Sequence, residues 1–271
     1  MRKLLILAIA AVACMAVTSV AQADQTIEAS IKPSKLDKKK KKPVTLVVDI
    51  RTQDKGTGTN SEQPPDADRT VVDFPKNLSF DPSAVPNCAG TESELQGTST
   101  SSAIDICGEK SIVSVQPSGG VTTASLDPAN GNRSLLPSVP TGAVVVVDSN
   151  PVTAGSAQSF VPVTLTAFNG TDKDQLYLHS RPATLPVTNV LVGKLVKGKG
   201  KYGNSLDVTI PQLLAGGIAD FKTTVKAGKY VQAVCKSKKM PYAATTTYSD
   251  APSTTATYDG TCKQKKSKKK K

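Results

Sequence analysis

The sequence predicts an all-β protein, an antiparallel β-sandwich cross-linked by disulfides. Three observations carry this. Apolar residues alternate with polar ones in many short runs, the period of a strand with one buried face. Gly, Pro, Asn and Asp punctuate those runs, and no long stretch has a 3.6-residue apolar period. Four cysteines follow a leader-like first segment, which fits two disulfides in an oxidising compartment.

Met1–Ala23 has the build of a secretory leader: Arg2 and Lys3, an apolar core over Leu4–Val17, then Ala21-Gln22-Ala23 before Asp24. The core is short for a membrane span. Lipidation at Cys14 is disfavoured because Ala11, not Leu, stands three residues before it. Cleavage after Ala23 is expected, leaving Asp24–Lys271 outside the cytoplasm.

Asp24–Lys42, ending in the run Lys38, Lys39, Lys40, Lys41 and Lys42, reads as a disordered lysine-rich spacer stopped by Pro43. The β domain is expected over 43–262. Val44, Leu46, Val48 and Ile50 alternate with Thr45, Val47 and Asp49 and form the first strand. Thr52–Asp68 reads as a long exposed loop. Arg69–Phe74 is a second strand, ended by Pro75, and Phe80–Pro86 is irregular. Thr91-Glu92-Ser93-Glu94 has the form of a capping box and predicts one short helix between Cys88 and Cys107; Gly97 and the Thr/Ser run after it argue against more. Ser111–Gln116 is a third strand, Val121–Thr141 a loop or irregular edge, and Ala143–Val147 a buried strand.

The second half is more regular. Val161, Val163, Leu165 and Ala167 alternate with Pro162, Thr164 and Thr166, and Asn169-Gly170 marks a turn. Leu176 and Leu178 oppose Tyr177, His179 and Arg181 along the next run. Val187–Val196 and Ser205–Ile210 flank the basic turn Lys197–Lys201, and Phe221–Val225 alternates again. Lys229–Cys235, Tyr242–Tyr248 and Thr254–Tyr258 close the sheets. Strands of this length and spacing suit an Ig-like or jelly-roll-like sandwich. No internal repeat is found.

Leu165–Gly170, Leu176–His179, Tyr202–Pro211 and Ala215–Phe221 resemble segments of uncharacterised secreted proteins of actinobacteria thought to be β-sandwiches. The likeness spans roughly residues 43 to 262 and is better from about 160 on. It implies an envelope or extracellular location, and it brings no known activity and no functional residue.

Of the pairings open to four cysteines, Cys88–Cys107 and Cys235–Cys262 are favoured because each closes a local loop, worth roughly 3 kcal/mol in a chain-entropy account. A zinc site is disfavoured: there is no Cys-x-x-Cys and only one histidine.

The chain carries 34 Lys and Arg against 22 Asp and Glu. The basic excess sits in Lys38–Lys42 and in a tail over Lys263–Lys271 that includes Lys265, Lys266, Lys268, Lys269, Lys270 and Lys271; the rest is near neutral. Both runs are expected to be disordered and to attract polyanions by counterion release. Outside the cytoplasm those partners are an anionic cell-wall polymer or lipid headgroups. Lysine lacks the arginine fork and no aromatics interleave the runs, so specific nucleic-acid recognition is not expected. With no Trp and 4% aromatics, stacking of sugar rings is poorly provided for.

The sequence therefore predicts a non-enzymatic, envelope-associated β-sandwich with no cofactor. Three other readings compete with parts of this. Tyr177, His179 and Arg181 share a strand face, which is either wet or the wall of a ligand groove; a hydrolase or ligand-binding enzyme would use that groove, although no Gly-x-Ser-x-Gly is present. A module presenting an open sheet edge to another surface protein is another. Asp172 and Asp174, and the loop Asp127–Asn132, are oxygen-rich enough to raise calcium, but turn chemistry explains them equally well.

Overall fold

Leu46, Val48 and Ile50 all point to one side of a ten-residue strand and are buried, while Val47 and Arg51 on the other side are half-buried. That pattern repeats through the computed structural model, which describes residues 23–54, 65–115, 143–148, 160–182, 187–211, 218–225, 228–249 and 251–265.

Eleven strands form one antiparallel sheet: β1 (Ala23–Lys32), β4 (Thr45–Asp54), β5 (Ala67–Pro75), β7 (Ala143–Asp148), β8 (Phe160–Asn169), β9 (Gln175–Pro182), β10 (Asn189–Lys197), β11 (Tyr202–Thr209), β12 (Ile218–Val225), β14 (Lys239–Tyr248) and β15 (Thr254–Thr261). Their order is β1-β4-β12-β7-β8-β9-β10-β11-β5-β14-β15. The sheet folds over on itself as a sandwich, so that its two end strands, β1 and β15, lie side by side. Gln25 on β1 seals this seam, donating from Nε2 to the Thr246 hydroxyl at 2.6 Å on β14. The main core fills the interior with Ile27, Leu46, Val72, Leu165, Leu178, Tyr242 and their neighbours.

Short strands close one end. β3 (Lys42–Pro43) and β6 (Leu78–Phe80) flank β13 (Val231–Ala233), and β2 (Lys35–Leu36) pairs in parallel with β16 (Lys263–Gln264).

The spacer expected over Asp24–Lys42 is corrected. Ala23–Lys32 is a strand in register with β4 from Ala23↔Asp54 to Lys32↔Thr45. Its burial alternates strictly, with Ile27, Ala29 and Ile31 inward, so apolar burial outweighs the charge that follows. The tail is likewise ordered at Lys263–Gln264; residues 266–271 lie outside the described residues. The loop expected over Thr52–Asp68 is shorter, since β4 runs to Asp54 and β5 starts at Ala67. Phe80–Pro86 contains a 3-10 turn over Pro82–Ala84. The loop expected over Val121–Thr141 falls outside the described residues.

Two α-helices, not one, lie between Cys88 and Cys107: α1 (Glu92–Leu95) and α2 (Thr100–Cys107). Thr91 N–H donates to Glu94 Oε2 at 2.7 Å, the back half of the expected capping box. The Thr/Ser run, read as helix-breaking, supplies the cap of α2: Ser99 Oγ accepts from Ser102 N–H at 3.0 Å. Of the strand expected over Ser111–Gln116, the described residues 111–115 form no regular strand. The segment opens in a 3-10 turn over Glu109–Ser111 and then makes single bridges, Ile112 to Phe168 and Ser114 to Val225.

Both favoured disulfides are formed, Cys88–Cys107 and Cys235–Cys262. The first holds the helical segment over the outer face of β8 and β9, where Cys88, Leu95, Ala103, Cys107, Phe168 and Tyr177 form a second, smaller core. Among the described residues, no helix is long and apolar enough to cross a membrane.

Candidate functional site

The strand-face residues and the lysines singled out in the sequence fall in two places. Tyr177, His179 and Arg181 do share the outer face of β9, but that face is neither wet nor a groove. It is covered by the disulfide-held helices, because Leu95, Ala103, Phe168 and Tyr177 need burial as much as the main core does. Tyr177 is buried, with its hydroxyl 2.8 Å from that of Thr171. His179 is fully buried, its Nε2 3.1 Å from Thr98 Oγ1. Thr98 commits its own hydroxyl proton to Leu95 O at 2.6 Å, so it accepts from His179 Nε2–H. That places a hydrogen on Nε2, and Nδ1 finds no hydrogen-bond partner among the described residues. Burial holds the His179 pKa below its ordinary value, and the Arg181 charge adds to this. Arg181 Nη1 donates to Thr98 O at 3.1 Å and to Thr188 Oγ1 at 3.0 Å. These side chains stitch the helical cover to the sheet. Among the described residues, the hydroxyl within hydrogen-bond distance of the His179 ring belongs to a threonine whose proton is already used.

The lysine runs meet at one end of the sandwich. Leu36, fully buried, anchors β2. Beside it the returning C-terminal segment is zipped by Lys263 N–H to Ser34 O and Lys265 N–H to Leu36 O, both at 2.8 Å. Asp37 turns the chain: its backbone O accepts from Cys235 N–H at 2.8 Å, and its Oδ1 accepts from the N–H groups of Lys39 and Lys40 at 2.8 and 3.1 Å. Those backbone donors hold the Asp37 pKa below the usual carboxylate range. Lys42 follows in β3, paired with Ala233. Interaction with the Lys42 side chain and its charge lowers the Lys265 pKa. Lys38–Lys41 are exposed on the connecting turn. Lys266, Lys268, Lys269, Lys270 and Lys271 lie outside the described residues.

Sequence reasoning passed over Lys35, Lys236, Lys238 and Lys239, all exposed at the same end as Lys263. The signal was available. Lys236 and Lys263 each follow a cysteine of the favoured Cys235–Cys262 pair, so that bridge alone brings the two basic stretches together.

A third charged cluster joins β4 and β12. Arg51 Nε lies 3.2 Å from Asp49 and 3.4 Å from Asp220, and Lys222 Nζ lies 3.4 Å from Asp49. Burial, with the neighbouring Asp49 charge, pushes the Asp220 pKa up to about 7. Asp172 and Asp174 sit in the β8–β9 turn, where Asp174 adopts φ 65° and its carbonyl accepts from Leu195 N–H at 2.7 Å. Among the described residues no three His, Cys, Asp or Glu side chains gather as metal ligands, and Asp127–Asn132 falls outside those residues.

No protein-family model matches the chain, and no curated protein matches it.

Proposed function

We propose that this is an exported, non-enzymatic β-sandwich that stays at the cell envelope by holding an anionic polymer at its lysine-rich end. The observation that carries the reading is the β2–β16 pairing, which sets the Lys38–Lys42 segment beside the Lys263–Lys265 segment. Charges scattered over a surface repel one another and are screened; charges gathered at one end raise the local attraction for a polyanion. Two disulfides favour an oxidising location. The leader-like Met1–Ala23 and the resemblance to secreted actinobacterial proteins support export, with cleavage after Ala23. Such cleavage leaves nine residues of β1, Asp24–Lys32, in register with β4. The partner is a wall polymer or lipid headgroup read by charge, without base-specific contacts to nucleic acid.

The test is retention on isolated envelope. The intact protein should elute steeply with salt, and deletion of residues 266–271, which spares β16, should move elution to lower salt. An unchanged elution profile on deletion, or retention indifferent to salt, overturns the reading.

A further inference from the structure

The strongest unassigned feature is the turn Cys235–Lys239. Its backbone is bound to the C-terminal segment by the Cys235–Cys262 bridge, by Cys262 N–H to Lys238 O at 3.0 Å, and by Gln264 Nε2 to Lys236 O at 3.2 Å. Asn77 Nδ2 ties the middle of the turn to the sheet through Ser237 O at 3.0 Å. Lys236, Lys238 and Lys239 are therefore exposed on backbone that is fixed, next to Lys263 and Lys265.

Segments 35–42, 236–239 and 263–265 together hold eleven lysines and one carboxylate, Asp37. One oxygen of that carboxylate is already taken by the Lys39 and Lys40 amides. The end is thus a cationic surface with little internal compensation, and the pairing of Lys35 with Lys263 shows lysines held together by the fold.

The spacing selects a ligand class. Same-face residues along a strand recur about every 6.6 Å, and adjacent strands lie about 4.8 Å apart. Lys263 and Lys265 stand two apart, with Lys35 opposite Lys263 on the neighbouring strand. A flexible chain with one negative charge every few ångströms can satisfy several such ammonium groups at once. Lysine is a compact point charge, suited to successive phosphates and not to bidentate recognition of one carboxylate.

We propose that Lys236, Lys238 and Lys239 join Lys42, Lys263 and Lys265 in one folded cationic site for a linear phosphate polymer. This rests on the reading of the lysine-rich end as the polymer-holding end, and it places the grip on the folded surface around the Cys235–Cys262 bridge.

The test uses the full chain and labelled linear sodium polyphosphate, with affinity followed by anisotropy across a salt series. The variant K236Q/K238Q/K239Q is compared with K268Q/K269Q/K270Q, which removes the same charge from the tail. The turn variant should bind at least about tenfold more weakly and lose about 2 from the slope of log affinity against log salt. The tail variant should lose clearly less of both. Equal losses, or a larger loss in the tail variant, overturn the folded site while leaving polymer binding by the tail intact. No binding by the unaltered chain at low salt to polyphosphate or to anionic phospholipid vesicles removes the underlying reading as well. Binding to anionic phospholipid vesicles without binding to polyphosphate refutes the polymer assignment in favour of a headgroup.

Discussion

Lys35 in β2 stands opposite Lys263 in β16, two lysines from distant parts of the chain set side by side on neighbouring strands. Like charges do not choose such a neighbour. Leu36 burial, the β2–β16 pairing and the Cys235–Cys262 bridge impose it. Like charges clustered against their own repulsion at one end are a familiar mark of a surface meant to meet opposite charge.

The double change Cys235→Ser and Cys262→Ser leaves net charge untouched. It should lower stability by roughly 3 kcal/mol, the entropy of a loop of this size. Because it frees the Lys236–Lys239 turn from Lys263–Lys265, it should also weaken polyphosphate binding at constant charge. Denaturant titration and anisotropy on the same sample check both. Full affinity in a folded, bridge-free protein would show that the bridge plays no part in arranging the lysines.

His179 gives stability a dependence on mildly acidic pH. Its folded pKa lies below its ordinary value of 6.5, so below pH 6.5 the unfolded chain binds the extra proton. Stability from this group is fully present above pH 6.5 and is lost as pH falls through the window beneath it. Protonation puts a hydrogen on Nδ1, which has no acceptor, beside the Arg181 charge. His179→Gln should flatten that part of the profile. Thr98→Ala, which strips Nε2–H of its acceptor, should cost about 1–3 kcal/mol. Urea midpoints between pH 5 and pH 8 (approximate bounds set by the ordinary histidine range) would decide it, an equal slope in His179→Gln and the parent counting against this account.

Asp220 acts in the opposite sense. It ionises near 3.8 when unfolded and about 7 when folded, so the native state keeps the additional proton between those values. Stability therefore declines as pH climbs across that interval, by up to about 4 kcal/mol. Asp220→Asn should remove the decline and leave Arg51 paired with Asp49. If the asparagine variant keeps the same high-pH loss, the cluster on β4 and β12 is not its source.

The strand pattern was readable where apolar residues recur at every second position along a buried face, as at Leu46, Val48 and Ile50 of β4. It misled at β9, where Tyr177 and His179 alternate with Leu176 and Leu178 yet both faces are covered. Period two tells which residues share a face, not what lies over it. β1 was legible in Ile27, Ala29 and Ile31, but the lysines after it drew the reading toward disorder, and charge density beyond a strand says nothing about burial within it. α2 was hidden because Ser99–Ser102 serves as cap and first turn, roles that residues of low helix propensity fill well. The two disulfides were found from spacing and loop length. Their consequence for the lysines was not, since it depends on which residues follow each cysteine once the bridge is made.

The register of β1 sets the direction in which the molecule presents itself. Ala23 opposes Asp54 at one extremity of the strand, and Lys32 opposes Thr45 at the other, about 30 Å away at the usual rise per residue. If Met1–Ala23 serves as the export leader proposed above and stays uncut, it tethers the molecule by the extremity remote from its lysines. The cationic end would then point outward from the lipid surface, as a probe on a stalk, and removal of the leader would free it to turn around.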